Sequence, residues 1–105
     1  MEKNALYGLV KKIPQGRVTN YGTLARLLGE PRAARQVGRL LHQNNEPKEV
    51  PCHRVVFKDG SLTPAFAFGA TQRAWLEEEG VGFIGERVDM DNFFTIPIIA
   101  RAEQN

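Results

Sequence analysis

The residues best suited to chemistry stand together in the run Val50-Pro51-Cys52-His53-Arg54-Val55-Val56. Cys52 is the only cysteine of the chain. A thiolate, not a thiol, is the nucleophile, and a basic or proton-accepting neighbour raises its share. With His53 and Arg54 beside it, Cys52 is expected to react faster at neutral pH than an ordinary thiol of pKa about 8.5. Pro51 fixes one backbone angle just ahead of the thiol, which suits presentation on a turn rather than inside a strand. The β-branched pair Val55-Val56 anchors the segment in the core. The competing reading makes Cys52 a small buried hydrophobe, as lone intracellular cysteines often are.

A second group of residues has the types needed to meet a polyanion. Arg32, Arg35 and Arg39 recur at three- and four-residue spacing, so a helix there carries them on one face. Ala33, Ala34 and Gly38 are small and let that helix approach another backbone closely. A small-residue helix with a basic stripe fits the sugar-phosphate walls of a nucleic-acid groove; its alternative is a solvated basic face. Charge along the chain points the same way. Residues 1–58 hold eleven Lys/Arg against four Asp/Glu, and residues 59–105 hold three against eight, although the net charge is only +2.

These groups need a small frame to hold them. At 105 residues the chain is one domain with one modest core. One cysteine excludes an internal disulfide, which fits a reducing compartment. His42 and His53 lack companion ligands at zinc spacing, so no metal is expected. No signal-peptide or membrane-spanning pattern is present, and the expected location is the cytoplasm, at the nucleoid when DNA is bound.

Apolar spacing predicts a helix over residues 3–12, with Leu6, Leu9, Val10 and Ile13 inward. Thr19 or Asn20 caps a second helix over 21–28, ended by Gly29. A third runs over about 32–42 with Val37, Leu40 and Leu41 inward, and His42 at its end reads as a capping or surface residue. The last two helices form a helix-turn-helix. A strand follows near 50–57, a hairpin turn at Asp59-Gly60 and a short strand at 61–63. Residues 64–69 form an apolar loop. A helix over 71–79 stops at Gly80, Trp75 reads as core or edge packing, and 81–90 reads as a final strand. The expected fold class is α+β, a single small domain of winged-helix type over residues 1–91, with a C-terminal tail at 92–105.

Residues 13–25 (Ile-Pro-Gln-Gly-Arg-Val-Thr-Asn-Tyr-Gly-Thr-Leu-Ala), Pro31 through Gly38, Asn44 and Pro51-Cys52-His53-Arg54-Val55-Val56 together resemble the C-terminal domain of O6-alkylguanine-DNA alkyltransferases, also called methylated-DNA–protein-cysteine methyltransferases. The likeness runs over roughly residues 5–85. It implies that Cys52 accepts an alkyl group, that His53 passes a proton through a water, and that Glu79 orients His53. It implies that Asn44, or Asn45 beside it, braces the turn, and that Tyr21 helps rotate the target nucleotide out of the duplex. Arg35 is the implied finger in the base stack. Thr19, Arg32, Ala33, Ala34, Gly38 and Arg39 complete the expected DNA-binding set. Val55, Phe66, Phe68 and Arg54 are the expected walls of the lesion pocket. The implied partner is double-stranded DNA containing O6-alkylguanine, the implied state a monomer, and no cofactor is implied.

Two departures from that family keep a second reading open. Full-length alkyltransferases carry a further N-terminal domain, whereas this chain starts almost at the DNA-binding part, as alkyltransferase-like lesion sensors do. Those sensors hand O6-alkylguanine to nucleotide excision repair proteins and usually have Trp or Ala in place of the cysteine. The loop after the hairpin also departs. It has Phe66 and Phe68, core or base-walling, where repair enzymes carry a Tyr-Ser-Gly-Gly-like segment. The expected activity is single-turnover alkyl transfer to Cys52, and the alternative is non-enzymatic lesion sensing.

Overall fold

The computed structural model describes residues 1–62 and 71–94. Phe66, Phe68 and the apolar run at 96–99 lie outside the described residues. The first helix, α1 (Lys3–Val10), is capped by Glu2, whose carboxylate accepts from the Asn4 and Ala5 amides at 2.9 and 2.7 Å. It buries Leu6 and Val10 and leaves Leu9 half-buried. Strand β1 (Thr19–Asn20) leads straight into α2 (Tyr21–Leu27). Asn20, not Thr19, is its cap: Asn20 Oδ1 accepts from the Thr23 amide at 2.8 Å. Gly29, at φ +78°, closes α2 by letting the Gly29 and Glu30 amides fold back onto the carbonyls of Arg26 and Ala25.

The turn after Gly29 leads to α3 (Ala34–His42), which starts two residues later than its arginine spacing predicts. Pro31 and Arg32 belong to the turn, and the Ala33 amide donates to the Glu30 carbonyl at 2.9 Å. Helices α2 and α3 form the expected helix-turn-helix. Val37 and Leu41 are buried, Leu40 is half-buried, and Arg32, Arg35, Arg39 and His42 are exposed.

The strand expected over 50–57 is much shorter. Residues Cys52–Arg54 form a single 3-10 turn, and only β2 (Val55–Val56) is extended. Pro51 interrupts the run, because it cannot donate to a ladder. Strand β2 pairs in parallel with β1, Thr19 facing Val55 and Asn20 facing Val56. Alternation along β2 sends Val55 into the cluster of Leu6, Val10, Leu24 and Val37, and Val56 into that of Val18, Leu76, Val81 and Val88. The two-strand sheet thus separates the helical core from the C-terminal core.

Helix α4 (Thr71–Glu78) ends as predicted near Gly80. Gly80 has φ +90°, and the Gly80 and Val81 amides reach back to Glu77 and Leu76 at 3.0 and 2.9 Å. Residues 81–90, expected as one strand, form a hairpin instead: β3 (Phe83–Ile84) and β4 (Arg87–Val88) pair around Gly85, whose φ of +63° permits a two-residue turn. Beyond a 3-10 turn at Met90–Asn92, Phe93 bridges Val18 in parallel and the Phe94 amide donates to the Val18 carbonyl at 2.6 Å. Among the described residues no helix is long and apolar enough to cross a membrane.

Gly60 ties the Asp59-Gly60 turn to the hairpin. Its carbonyl accepts from the Val88 amide at 2.9 Å, and a Cβ at Gly60 would lie 2.5 Å from the Val88 oxygen. With φ at +89°, Gly60→Ala is expected to cost about 2–3 kcal/mol. Gly8 is the contrast, an exposed helical glycine where an added methyl group would meet nothing within 4 Å. Gly8→Ala is expected to stabilise by about 0.5–1 kcal/mol. Urea unfolding of both variants checks the pair of opposite signs.

Candidate functional site

Cys52 sits where two local devices meet. The Pro51 angles, φ −76° and ψ 67°, are those of an inverse γ-turn, and the Cys52 amide donates to the Val50 carbonyl across it at 2.7 Å. The 3-10 turn then carries the chain into β2. Asn44 braces this corner from the end of α3. Its Nδ2 donates to the Val50 carbonyl at 2.8 Å and to Cys52 Sγ at 3.4 Å, while its Oδ1 accepts from the Glu46 amide at 3.0 Å. Asn44 is buried and Asn45 exposed, so Asn44 is the residue that faces the turn.

The thiol is 5% exposed. Burial pushes its pKa above the ordinary cysteine value, and the Asn44 hydrogen bond offsets only part of that rise. That direction runs against the expectation of a readily ionised thiol. At rest Cys52 is a protonated thiol, shielded from solvent, because desolvation penalises the anion more than its neighbours favour it.

His53 is also buried, at 5% exposure. Its Nε2 lies 2.9 Å from Glu79 Oε2. A carboxylate only accepts, so Nε2 carries the proton and Nδ1 is left as the basic nitrogen. That Nδ1 is buried and has no partner among the described side chains and backbone. Burial lowers the His53 pKa by more than the hydrogen bond and charge of Glu79 raise it, so the imidazole is neutral at pH 7. Trp75 stands edge-on to the imidazole, with ring centroids 5.2 Å apart and planes at 85°.

Glu79 directly follows α4 and is fixed there by the Gly80 closure. It serves two partners. Arg54 Nε and Nη2 donate to its two oxygens at 2.9 and 2.7 Å, and Arg54 Nη1 donates to the Ile13 carbonyl at 2.8 Å. Burial alone would raise the Glu79 pKa, but the hydrogen bonds from Arg54 and His53 outweigh it and hold the carboxyl below its ordinary range. Arg54 is thus committed to Glu79 and the loop after α1. It also borders, with His53, Trp75 and Glu79, an open cleft of about 490 Å³ beside the cysteine turn.

Two further expectations shift. Val55 and Thr19 are both 0% exposed. Val55 is core, as its β-branched character predicts, rather than a pocket wall, and the Thr19 side chain is buried, off any contacting surface. Gln72 and Trp75 join the site without a sequence signal that assigned them to it. Gln72 is 1% exposed, and its Nε2 donates to the His53 and Val55 carbonyls at 3.2 Å each, tying the cysteine turn to the start of β2. A polar residue on the inner face of an otherwise apolar helix stripe is the one hint the sequence offers.

On the neighbouring face, α3 borders an open cleft of about 790 Å³. Ala34, Arg35, Gly38 and Arg39 line one side, Phe57 and Lys58 the other, and Tyr21 lies between them. A Cβ at Gly38 would lie 3.9 Å from the Tyr21 ring, so that ring comes close to α3 at Gly38. Arg32, Ala33 and Arg35 also border a smaller cleft at the start of α3. The structure brings Tyr21, Arg35 and Arg39 together in one cleft, and Cys52, His53, Glu79 and Asn44 in one cluster.

Comparison with known proteins sets this geometry in context. The family model described as 6-O-methylguanine DNA methyltransferase, DNA binding domain, matches residues 2–81. The chain is 39% identical over 89 residues to the DNA base-flipping protein of Escherichia coli K12, covering 84% of this chain and 69% of that protein. It is 37% identical over 89 residues to the bifunctional methyltransferase/endonuclease of Picrophilus torridus, covering 84% of this chain and only 30% of that longer protein. The solved structure of S. pombe Atl1 in complex with damaged DNA containing O6-carboxymethylguanine matches with a TM-score of 0.80 at 31% identity, over 88% of this chain and 93% of that one. With a helix-turn-helix, a buried Pro-Cys-His-Arg turn and a family match over most of its length, the chain belongs to the family of 6-O-methylguanine DNA methyltransferase DNA-binding domains.

Proposed function

We propose that this protein recognises O6-alkylguanine in double-stranded DNA and takes the alkyl group onto Cys52 in one irreversible step. The observation that carries this reading is the pairing of a braced thiol with a neutral, oriented histidine. The start of α3 enters the minor groove, with Ala33 just ahead of it and Ala34 and Gly38 on its cleft side, Arg35 fills the space of the flipped nucleotide, and Arg32 and Arg39 meet phosphates. A base inside a duplex is out of reach, so the target rotates into the protein past Tyr21.

The step balances with the chain's own groups. Cys52 Sγ loses its proton, through a water, to His53 Nδ1. Sulfur attacks the alkyl carbon, a C–S bond forms, and the C–O6 bond breaks with its electron pair going to guanine O6. The guanine takes a proton that Tyr21 supplies and recovers from solvent, and His53 returns its proton to solvent. Glu79, anionic and held by Arg54, stabilises the transient imidazolium, as the orienting acid does in nucleophile–base–acid triads. The thioether does not reverse, so each molecule acts once. The atoms balance without a metal or cofactor. The setting we assign is the cytoplasm, with the protein acting as a monomer.

Two observations favour a second reading. The chain covers 93% of S. pombe Atl1, whose structure holds lesion DNA, and the Cys52 thiol is buried and protonated at rest. In that reading the protein binds the lesion without transfer and passes it to nucleotide excision repair proteins.

Intact-protein mass after incubation with an O6-methylguanine duplex separates the two. Transfer adds one methyl mass at Cys52, and Cys52→Ser abolishes the gain. Unchanged mass with lesion binding intact establishes the sensor reading.

The histidine relay is tested by rate. His53→Asn and Glu79→Gln are expected to slow transfer by about 10²–10⁴-fold while lesion affinity changes little. Because the base must be neutral and its pKa lies below the ordinary 6.5, the transfer rate should stay level through neutral pH and fall only on the acid side of 6.5. A rate that instead climbs steadily to alkaline pH means the thiol ionises without His53.

Binding by α3 is tested by salt dependence. Arg35→Ala should weaken binding to lesion DNA and slow transfer together. Arg39→Ala should weaken binding to all DNA alike and lower the salt slope by about one. Equal losses from both on plain and lesion duplexes remove the finger assignment.

A further inference from the structure

Phe57 is one of two large apolar side chains left exposed among the described residues, at 41%. It follows β2 directly, and the parallel register that sets Asn20 against Val56 brings Phe57 beside Tyr21. Their ring centroids are 5.3 Å apart, with planes at 49°. One face of the Phe57 ring is thus spent on Tyr21, and the rest borders the cleft beside α3.

Its backbone is not free to fold the ring away. The Phe57 amide donates to the Ser61 carbonyl at 3.0 Å, and the Phe57 carbonyl accepts from the Gly60 amide at 2.9 Å. Asp59 Oδ1 closes the same turn by accepting from the Ser61 amide at 3.0 Å. Gly60 then locks the turn onto β4. An aromatic ring on a pinned turn, bordering a cleft with Arg35, Arg39 and Lys58, has the composition of a stacking platform for a nucleotide whose phosphates meet the cations.

We propose that Phe57 is a specificity-determining contact: it stacks on the base that flanks the target nucleotide on the lesion strand. This rests on the reading of the cleft as a DNA site. Flipping the target leaves its neighbour without one stacking partner. Arg35 offers charge and planarity from α3, and Phe57 offers an apolar face from the opposite wall. The pair of rings also steadies Tyr21 where the target rotates past.

The test is a cycle between protein and DNA. Affinity is measured for wild type and Phe57→Ala on an O6-methylguanine duplex, then on the same duplex with an abasic position at the 5′ or the 3′ flank. On the intact duplex Phe57→Ala is expected to lose about tenfold or more in affinity with an unchanged salt slope. Phe57→Tyr keeps the affinity, and Phe57→Leu does not. With the stacked flank made abasic, wild type and Phe57→Ala converge. A purely structural role for the ring, acting through Tyr21, leaves the difference in place on both abasic duplexes, and that result overturns the proposal. So does a Phe57→Ala variant that binds the intact lesion duplex like wild type. Arg35→Ala, measured in parallel, keeps the two readings apart. If wild type prefers lesion DNA and Arg35→Ala destroys that preference, a null result at Phe57 removes only this contact. If wild type shows no preference for the lesion, the reading of the cleft falls with it.

Discussion

The carboxylate of Glu79 accepts hydrogen bonds from three nitrogens, one on His53 and two on Arg54, and most of the site takes its geometry from that arrangement. The partners need each other. A half-buried carboxylate without Arg54 would shift toward its protonated form, and Arg54 without Glu79 would leave a charge on the inner side of the turn; breaking such a pair typically costs about 3–5 kcal/mol. The arrangement adds orientation more than stability. Because Glu79 stays anionic, the proton of His53 is held on Nε2 and the basic lone pair is on Nδ1. Arg54 extends the clamp to the Ile13 carbonyl, so hydrogen bonds tie the loop after α1, the cysteine turn and the end of α4 together.

Burial acts on the thiol and the imidazole in opposite senses, and both suit a site that waits for its substrate. It raises the Cys52 pKa and lowers that of His53, so the resting pair is thiol and neutral imidazole, with no charge separation. A free thiolate at this corner would be open to side reactions with oxidants and electrophiles. Asn44 donates to the sulfur and to the Val50 carbonyl at once, which holds Sγ in place while it is protonated and favours the anion once it forms. The inverse γ-turn at Pro51 supplies the sharp change of direction that lets Cys52 leave the sheet.

The cleft beside α3 follows from packing rather than from charge. Gly38 allows Tyr21 to lie against α3, and the β1–β2 register brings Phe57 to the other side of the same ring. Bulk at Gly38 would push the tyrosine outward. The basic side chains then stand at the rim of an apolar floor, which is where solvated charges belong and where phosphates would reach them.

Local patterns in the sequence determined much of this protein. Apolar spacing placed the helix-turn-helix. Gly29 and Gly80 marked helix ends because both need a positive φ. The basic face of α3 followed from the spacing of Arg35 and Arg39 with Arg32 just ahead of it, and Cys52 and His53 stood out by type and adjacency. Each of these is a short-range property, written within a few residues. What the tertiary structure alone decided lies at long range. Arg54, as good a surface charge as any by sequence, finds Glu79 25 positions away and Ile13 41 positions away. Thr19 is buried by a parallel pairing with Val55 that no local pattern announces, and the span 81–90 folds back on itself at Gly85. The ionisation of Cys52 is the clearest case. Its neighbours in the chain argue for a thiolate, but a pKa responds to the water removed around the group, and only the packed fold determines how much water that is.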